Sequence, residues 1–294
     1  MTALLLGALG LALSLVVPGP FARARWPERA PAAAVLGWQA ITLTGVLCAL
    51  GVVLAGPEEL VRALGSGRPV AAAALIGALA VAAVIVIRLL VALIGVSRRS
   101  RERRARHRLL ADLLDRAERH ERIEVAGLRV LDGALPLAYC VPGRSPRVVL
   151  SEGALQVLDE PQIDAVLRHE QAHLRHRHDV VMESFTAFYQ AVPRPLRSRA
   201  PLEAVHGLLE MVADDAARRR CGPAPLRAAL ERLSLEQEST AADRQRRLDR
   251  LGAADERSVA LSVLVVTLAL GLLVLPTVIL VVPWLDRAVA AWPL

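Results

Sequence analysis

The residues best suited to chemistry fall in one stretch, Arg168-His169-Glu170-Gln171-Ala172-His173-Leu174-Arg175-His176-Arg177-His178. Within it, His169 to His173 reads H-E-x-x-H. The two histidines are four residues apart, so on a helix they share a face, one turn above the other. That spacing lets two imidazoles reach one tetrahedral metal ion. Glu170 falls on a neighbouring face, where it can work on a water at the metal instead of ligating. Ala165, Val166, Leu167 and the small Ala172 suit a buried helix. The competing reading is a charged helix carrying two incidental histidines.

A catalytic zinc of this kind needs a third protein ligand and one open position. His176 shares the histidine face, but seven residues separate it from His169, about 10 Å along the axis. One metal does not bridge that gap, so His176 is expected at the surface. Asp179 and Glu183 are expected to continue the same helix, read over residues 159–181, and so not to fold back. The third ligand must then come from a different helix. Residues 201–220 offer Glu210-Met211-Val212-Ala213-Asp214. Glu210 and Asp214 are again four apart. Glu210 can ligate, and Asp214 can accept the spare N–H of a ligating histidine; alternatively both are ordinary helix-surface acids. Leu208, Leu209, Met211 and Val212 around Glu210 favour a partly buried position. His206 shares the Glu210 face and is either a stabiliser of a reaction intermediate or a surface residue.

The elements that must position these residues belong to an unusually apolar chain. Of 294 residues, 54% are hydrophobic and only 3% aromatic, and the mean hydropathy is +0.41. Ala, Leu and Val dominate, as in membrane helices. The net charge of +7 sits at the ends of apolar segments, where basic residues fix membrane orientation; direct nucleic-acid binding is not expected. Cys48, Cys140 and Cys221 are scattered, which argues against a disulfide framework and a Cys-rich zinc site.

Four apolar runs are expected to span the membrane. Residues 3–17 are short for a span but can cross if Pro18 and Gly19 lie in the interface. Residues 35–55 carry no charge, a loop is expected at 57–69, and a third span starts at Val70, with Arg88 snorkelling to the interface. Residues 259–282, interrupted by Pro276, form the fourth. Between the third and fourth, Arg98, Arg99, Arg101, Arg103, Arg104, Arg106 and Arg108 are opposed by Glu102 alone. By the positive-inside rule this segment is cytoplasmic, which places both termini outside and the smaller cluster Arg23, Arg25 and Arg29 inside. The expected organisation is residues 1–97 with three spans, 98–257 as a cytoplasmic domain, and 258–294 with the fourth span and a short outside tail. Within the insert, strands are expected at 125–131, 137–141 and 148–150, Ser151 as an N-cap without a complete capping box, and a mostly surface helical stretch at 226–251.

The pairing of HEQAH with Glu210-Met211-Val212-Ala213-Asp214 resembles the E-x-x-A-D arrangement of gluzincin membrane peptidases, among them HtpX-type proteases, prenyl-protein CAAX proteases and BlaR/MecR-type antirepressor metallopeptidases. The layout of three spans, an insert and one span is most similar to the BlaR/MecR-type group, as are the segments Ala134 to Gly143 and Val148 to Leu155. The resemblance implies a cofactor, Zn2+, held by His169, His173 and Glu210, and a zincin-like α+β insert. It also implies regulated cleavage of a cytoplasmic repressor of the BlaI/MecI type. Only residues 283–294 follow the last span, whereas the antibiotic sensors of that group carry a penicillin-binding domain there, so β-lactam sensing is not expected.

The reaction expected is peptide hydrolysis with Glu170 as general base. An extended substrate can add as a strand beside 137–141 or 148–150. The alternatives are an HtpX-like quality-control protease acting on membrane proteins and a catalytically silent partner-binding descendant. Retention of the ligands together with Glu170 argues against the latter.

Overall fold

The computed structural model describes residues 1–113, 128–143, 146–194, 197–233, 241–252 and 258–290. Among the described residues the chain is mostly helical, with one small sheet. Four helical stretches are long and apolar enough to cross a membrane: Thr2–Arg23, Pro31–Gly65, Pro69–Arg106 and Val259–Pro283. The chain divides into two compact units. One comprises Met1–Ile94, Thr186–Val205 and Ser258–Leu294; the other comprises Gly95–Phe185 and His206–Arg257.

In the first unit, α1 (Thr2–Leu11) passes through a π-helical turn, Ala12–Val16, into α2 (Pro18–Arg23). The 22 residues of this stretch give the short first run the length a span needs. Helix α3 (Pro31–Gly65) continues through Pro57, so the loop expected at 57–69 shrinks to residues 66–68 before α4 (Pro69–Leu113). A Cβ on Gly51 would come 2.6 Å from Leu6 Cδ1, so α1 and α3 meet at a distance only a small residue allows. Pro276 lies inside α11 (Val259–Ala290) and offers no N–H to the carbonyl of Leu272, four residues back. The fully buried hydroxyl of Thr44 on α3 donates to that carbonyl at 3.1 Å. A polar group otherwise orphaned in an apolar layer thus finds its partner on the neighbouring helix. Arg88 donates from Nε to the carbonyl of Ala191 at 2.6 Å.

In the second unit, β1 (Leu128–Leu131), β2 (Ala138–Val141) and β3 (Arg147–Ser151) form a sheet ordered β1-β3-β2. β1 runs parallel to β3, with Val130 opposite Leu150; β2 runs antiparallel, with Tyr139 opposite Val149. Residues 125–127 of the first expected strand, and residues 144–145 of the turn, lie outside the described residues. β3 is central and both of its edges are used, so the added strand envisaged beside 148–150 has no place there. β2 lies at the sheet edge. Ser151 Oγ accepts from the backbone N–H groups of Leu137 and Ala154 at 2.9 and 3.0 Å, and its hydroxyl donates to the Leu135 carbonyl at 2.6 Å. It thereby caps α5 (Glu152–Val157) without a capping box, as expected.

Helix α6 (Glu160–Arg175) carries a full capping box. Asp159 Oδ1 accepts from the Gln162 N–H at 3.0 Å, and Gln162 Oε1 accepts from the Asp159 N–H at 3.3 Å. Val166 and Leu167 of α6 join Val148 and Leu150 of β3 and Ala229 of α9 (Pro223–Arg232) in the core of this unit. The helix does not run on to residue 181. It ends at His176, Arg177 takes a left-handed φ of 52°, and α7 (His178–Ala191) begins at once. A non-glycine residue there costs about 1–2 kcal/mol. Helix α8 (Ala200–Cys221) matches the expected helix closely. The surface helix expected over 226–251 is instead two elements, α9 and α10 (Ala241–Gly252), with 234–240 outside the described residues. One face of α10 is buried: Arg247 is 4% exposed and Leu251 3%. Arg244 Nη2 donates to the carbonyls of Leu230 and Glu231 at 2.7 and 3.0 Å, closing the end of α9.

Candidate metal centre

Helix α6 presents His169 and His173 one turn apart, and α8 brings Glu210 to meet them. Nε2 of His169 lies 3.1 Å from Nε2 of His173. Glu210 Oε1 lies 3.3 Å from His173 Nε2, and its Oε2 lies 3.4 Å from His169 Nε2. For metal bonds of about 2.0–2.1 Å in a tetrahedron, ligand atoms sit about 3.3 Å apart. Two imidazole nitrogens and a carboxylate oxygen at these separations fit zinc in both donor type and spacing, and all three ligand atoms lie within 4.8 Å of one another.

Each histidine has a neighbour close to its other ring nitrogen. His169 Nδ1 lies 3.0 Å from Asp214 Oδ1. His173 Nδ1 lies 2.8 Å from Nδ1 of His178, a residue the sequence reading passed over. The reversal at Arg177 turns His178 back onto α6; a helix unbroken through 181 would have carried it away. His176, by contrast, does not join the cluster of candidate ligands.

The second residue missed is Arg247 of α10. Its Nε and Nη2 donate to Oδ2 and Oδ1 of Asp214 at 2.8 and 2.7 Å, a bidentate pair. Its Nη1 reaches Glu210 Oε2 at 2.9 Å, leaving Oε1 the freer oxygen. Leu248, next in the chain, and Leu251, one turn on, are apolar partners of Ala165 and Ala217. A buried arginine inside that apolar stripe was the signal available.

The electrostatics follow from burial and these partners. Burial works against a charged His169, yet the Asp214 and Glu210 carboxylates push its pKa up to about 10. Burial drives His173 down to about 3 and His178 down to about 4. Burial also opposes charge on Glu210 and Asp214. The hydrogen bond to His169 and the Arg247 cation outweigh it at Glu210, which stays well below its usual range, and Arg247 with His169 does the same at Asp214. Glu170 goes the other way: burial raises its pKa, with the Glu210 charge adding. Its carboxylate accepts from the thiol of Cys140 on β2, which places edge strand and base side by side. Burial, and then the Glu170 charge, raises the Cys140 thiol in turn. His206 is half-buried on α8, one turn before Glu210.

Two imidazoles and a carboxylate at metal-ligand spacing, with the buried Glu170 carboxylate beside them, form a group that could hold a metal ion, and one comparison bears on it. Residues 99–213 match the model of Peptidase family M48. The match covers His169, Glu170, His173 and Glu210 and stops one residue short of Asp214. No curated protein and no solved structure matches the chain. M48 peptidases are zinc metallopeptidases that act on proteins or peptides, and the matched region contains the His-His-Glu group that could hold a metal ion. With four apolar helices of membrane-crossing length, these findings indicate a membrane-associated metallopeptidase.

Proposed function

We propose that the chain is an integral-membrane zinc endopeptidase whose catalytic unit faces the cytoplasm. The observation that carries this reading is the convergence of His169 Nε2, His173 Nε2 and Glu210 beside the buried carboxylate of Glu170. His169, His173 and Glu210 hold the metal, and Asp214 orients His169. When bound, zinc supplies Lewis acidity towards water and the scissile carbonyl. Glu170 takes the proton of the attacking water and delivers it to the leaving amine. Its raised pKa suits both halves of that task. A substrate strand pairs along β2, whose Cys140 touches Glu170, so the peptide passes the base. His206 is assigned to stabilising the developing negative charge.

The substrate proposed is a cytoplasmic transcriptional repressor of the BlaI/MecI type, cleaved in response to a signal. Support comes from the likeness of layout and of residues 134–143 and 148–155 to the BlaR/MecR-type group. A second reading, an HtpX-like protease acting on membrane proteins, is favoured by the M48 match. Profiling new protein N-termini in cells carrying the chain or its Glu170→Gln variant tests both. Termini lost in the variant and mapping to one DNA-binding repressor support the first reading. Losses spread over many membrane proteins support the second, and identical profiles contradict a peptidase.

A further inference from the structure

His178 is 5% exposed, and its Nδ1 meets His173 Nδ1 at 2.8 Å, with the two rings edge to face and centroids 4.7 Å apart. A neutral imidazole that ligates through Nε2 carries its proton on Nδ1. His173 must therefore donate along this contact, and His178 Nδ1 must accept. That leaves the proton of His178 on its own Nε2. The contact is thus directional, and it selects both the ring angle and the tautomer of a proposed ligand.

The backbone around His178 is built to hold it there. Arg177 adopts the left-handed φ of 52° with a side chain in place of the usual glycine. The first turn of α7 is then pinned to α4. Arg104 Nη2 lies 3.2 Å from Asp179 Oδ2 and also pairs with Glu183, to which the Ser100 hydroxyl donates. The residue next to His178 is therefore tied to the portion of α4 that belongs to the same unit.

We propose that His178 is the positioning residue of His173, serving that ligand as Asp214 serves His169, and that Arg104 fixes its place. This rests on the zinc reading of the His-His-Glu cluster. Two differently charged supports, a carboxylate and a neutral imidazole, would then hold the two histidines.

The test uses the full chain in detergent, with zinc affinity measured by competition against a chromophoric chelator and Co2+ absorption as a second readout. His178→Leu is expected to weaken zinc binding about 10- to 100-fold and to shift the Co2+ spectrum. In His178→Asn, Oδ1 takes the place of Nδ1, and affinity and spectrum are expected to return close to those of the unsubstituted chain. In His178→Gln the amide reaches past that point, and binding is expected to stay weak. Unchanged affinity and spectrum in His178→Leu overturn the proposal, as does equal rescue by Asn and Gln. Should His178→Leu fail to fold, the comparison of Asn with Gln decides alone. An unsubstituted chain that binds no zinc overturns the metal reading itself and this inference with it.

Discussion

Asp214 Oδ1 lies 3.0 Å from His169 Nδ1, and the same oxygen takes a 2.7 Å hydrogen bond from Arg247. The carboxylate is 1% exposed, so its charge depends on these two partners. Asp214→Ala is expected to weaken zinc affinity about 10- to 100-fold by releasing the ligand's orientation. Arg247→Ala leaves the carboxylate buried beside a single partner and is expected to destabilise the fold by about 3–5 kcal/mol. Thermal melts with zinc chelated separate the two effects. An Arg247→Ala chain that melts like the unsubstituted one contradicts a structural role for the pair.

Glu170→Gln keeps size and shape but removes the base. Zinc content and melting are expected to be retained while cleavage falls by a factor of at least about 100. Full activity in this variant would remove Glu170 from the mechanism.

Proton release reads the electrostatics directly. His169, held up to about 10 by Asp214 and Glu210, is charged at neutral pH, whereas His173, at about 3, is already neutral. Glu210, well below its usual range, is already ionised. Zinc therefore displaces one proton, and its affinity rises about tenfold per pH unit below the His169 value. The fold responds in the opposite sense without metal: the stability His169 gains from its carboxylates is complete below its unfolded pKa and is lost as pH rises through about 10. Calorimetry in buffers of different ionisation enthalpy counts the protons. A count of none means that His169 is neutral before binding.

Orientation is tested by reporter fusions near residues 62, 110 and 290. The arginine-rich continuation of α4 predicts a cytoplasmic signal at 110 and outside signals at the other two. An outside signal at 110 contradicts the orientation and removes access to a cytoplasmic repressor.

The parts of the site legible in the sequence were those fixed by helical periodicity. His169 with His173, and Glu210 with Asp214, each lie one turn apart, and the structure keeps both helices intact through those pairs. His178 was hidden because the end of α6 depends on a left-handed arginine at 177, a conformation composition does not announce. Arg247 was hidden because 33 residues separate it from Asp214 and it is one of many arginines. Its burial depends on α10 packing onto the rest of the unit, a tertiary event that periodicity does not report. The long apolar runs showed where the candidate spans lie but not how their prolines are tolerated, since Thr44 and Leu272 become neighbours only when α3 and α11 pack.

The most direct test of the central claim is the zinc content of the purified full-length chain and three single variants. One zinc per chain is expected, lost in His169→Ala and in Glu210→Ala and kept in His176→Ala. Loss of zinc in His176→Ala with retention in Glu210→Ala, or no stoichiometric zinc in the unsubstituted chain, would contradict the His169–His173–Glu210 centre.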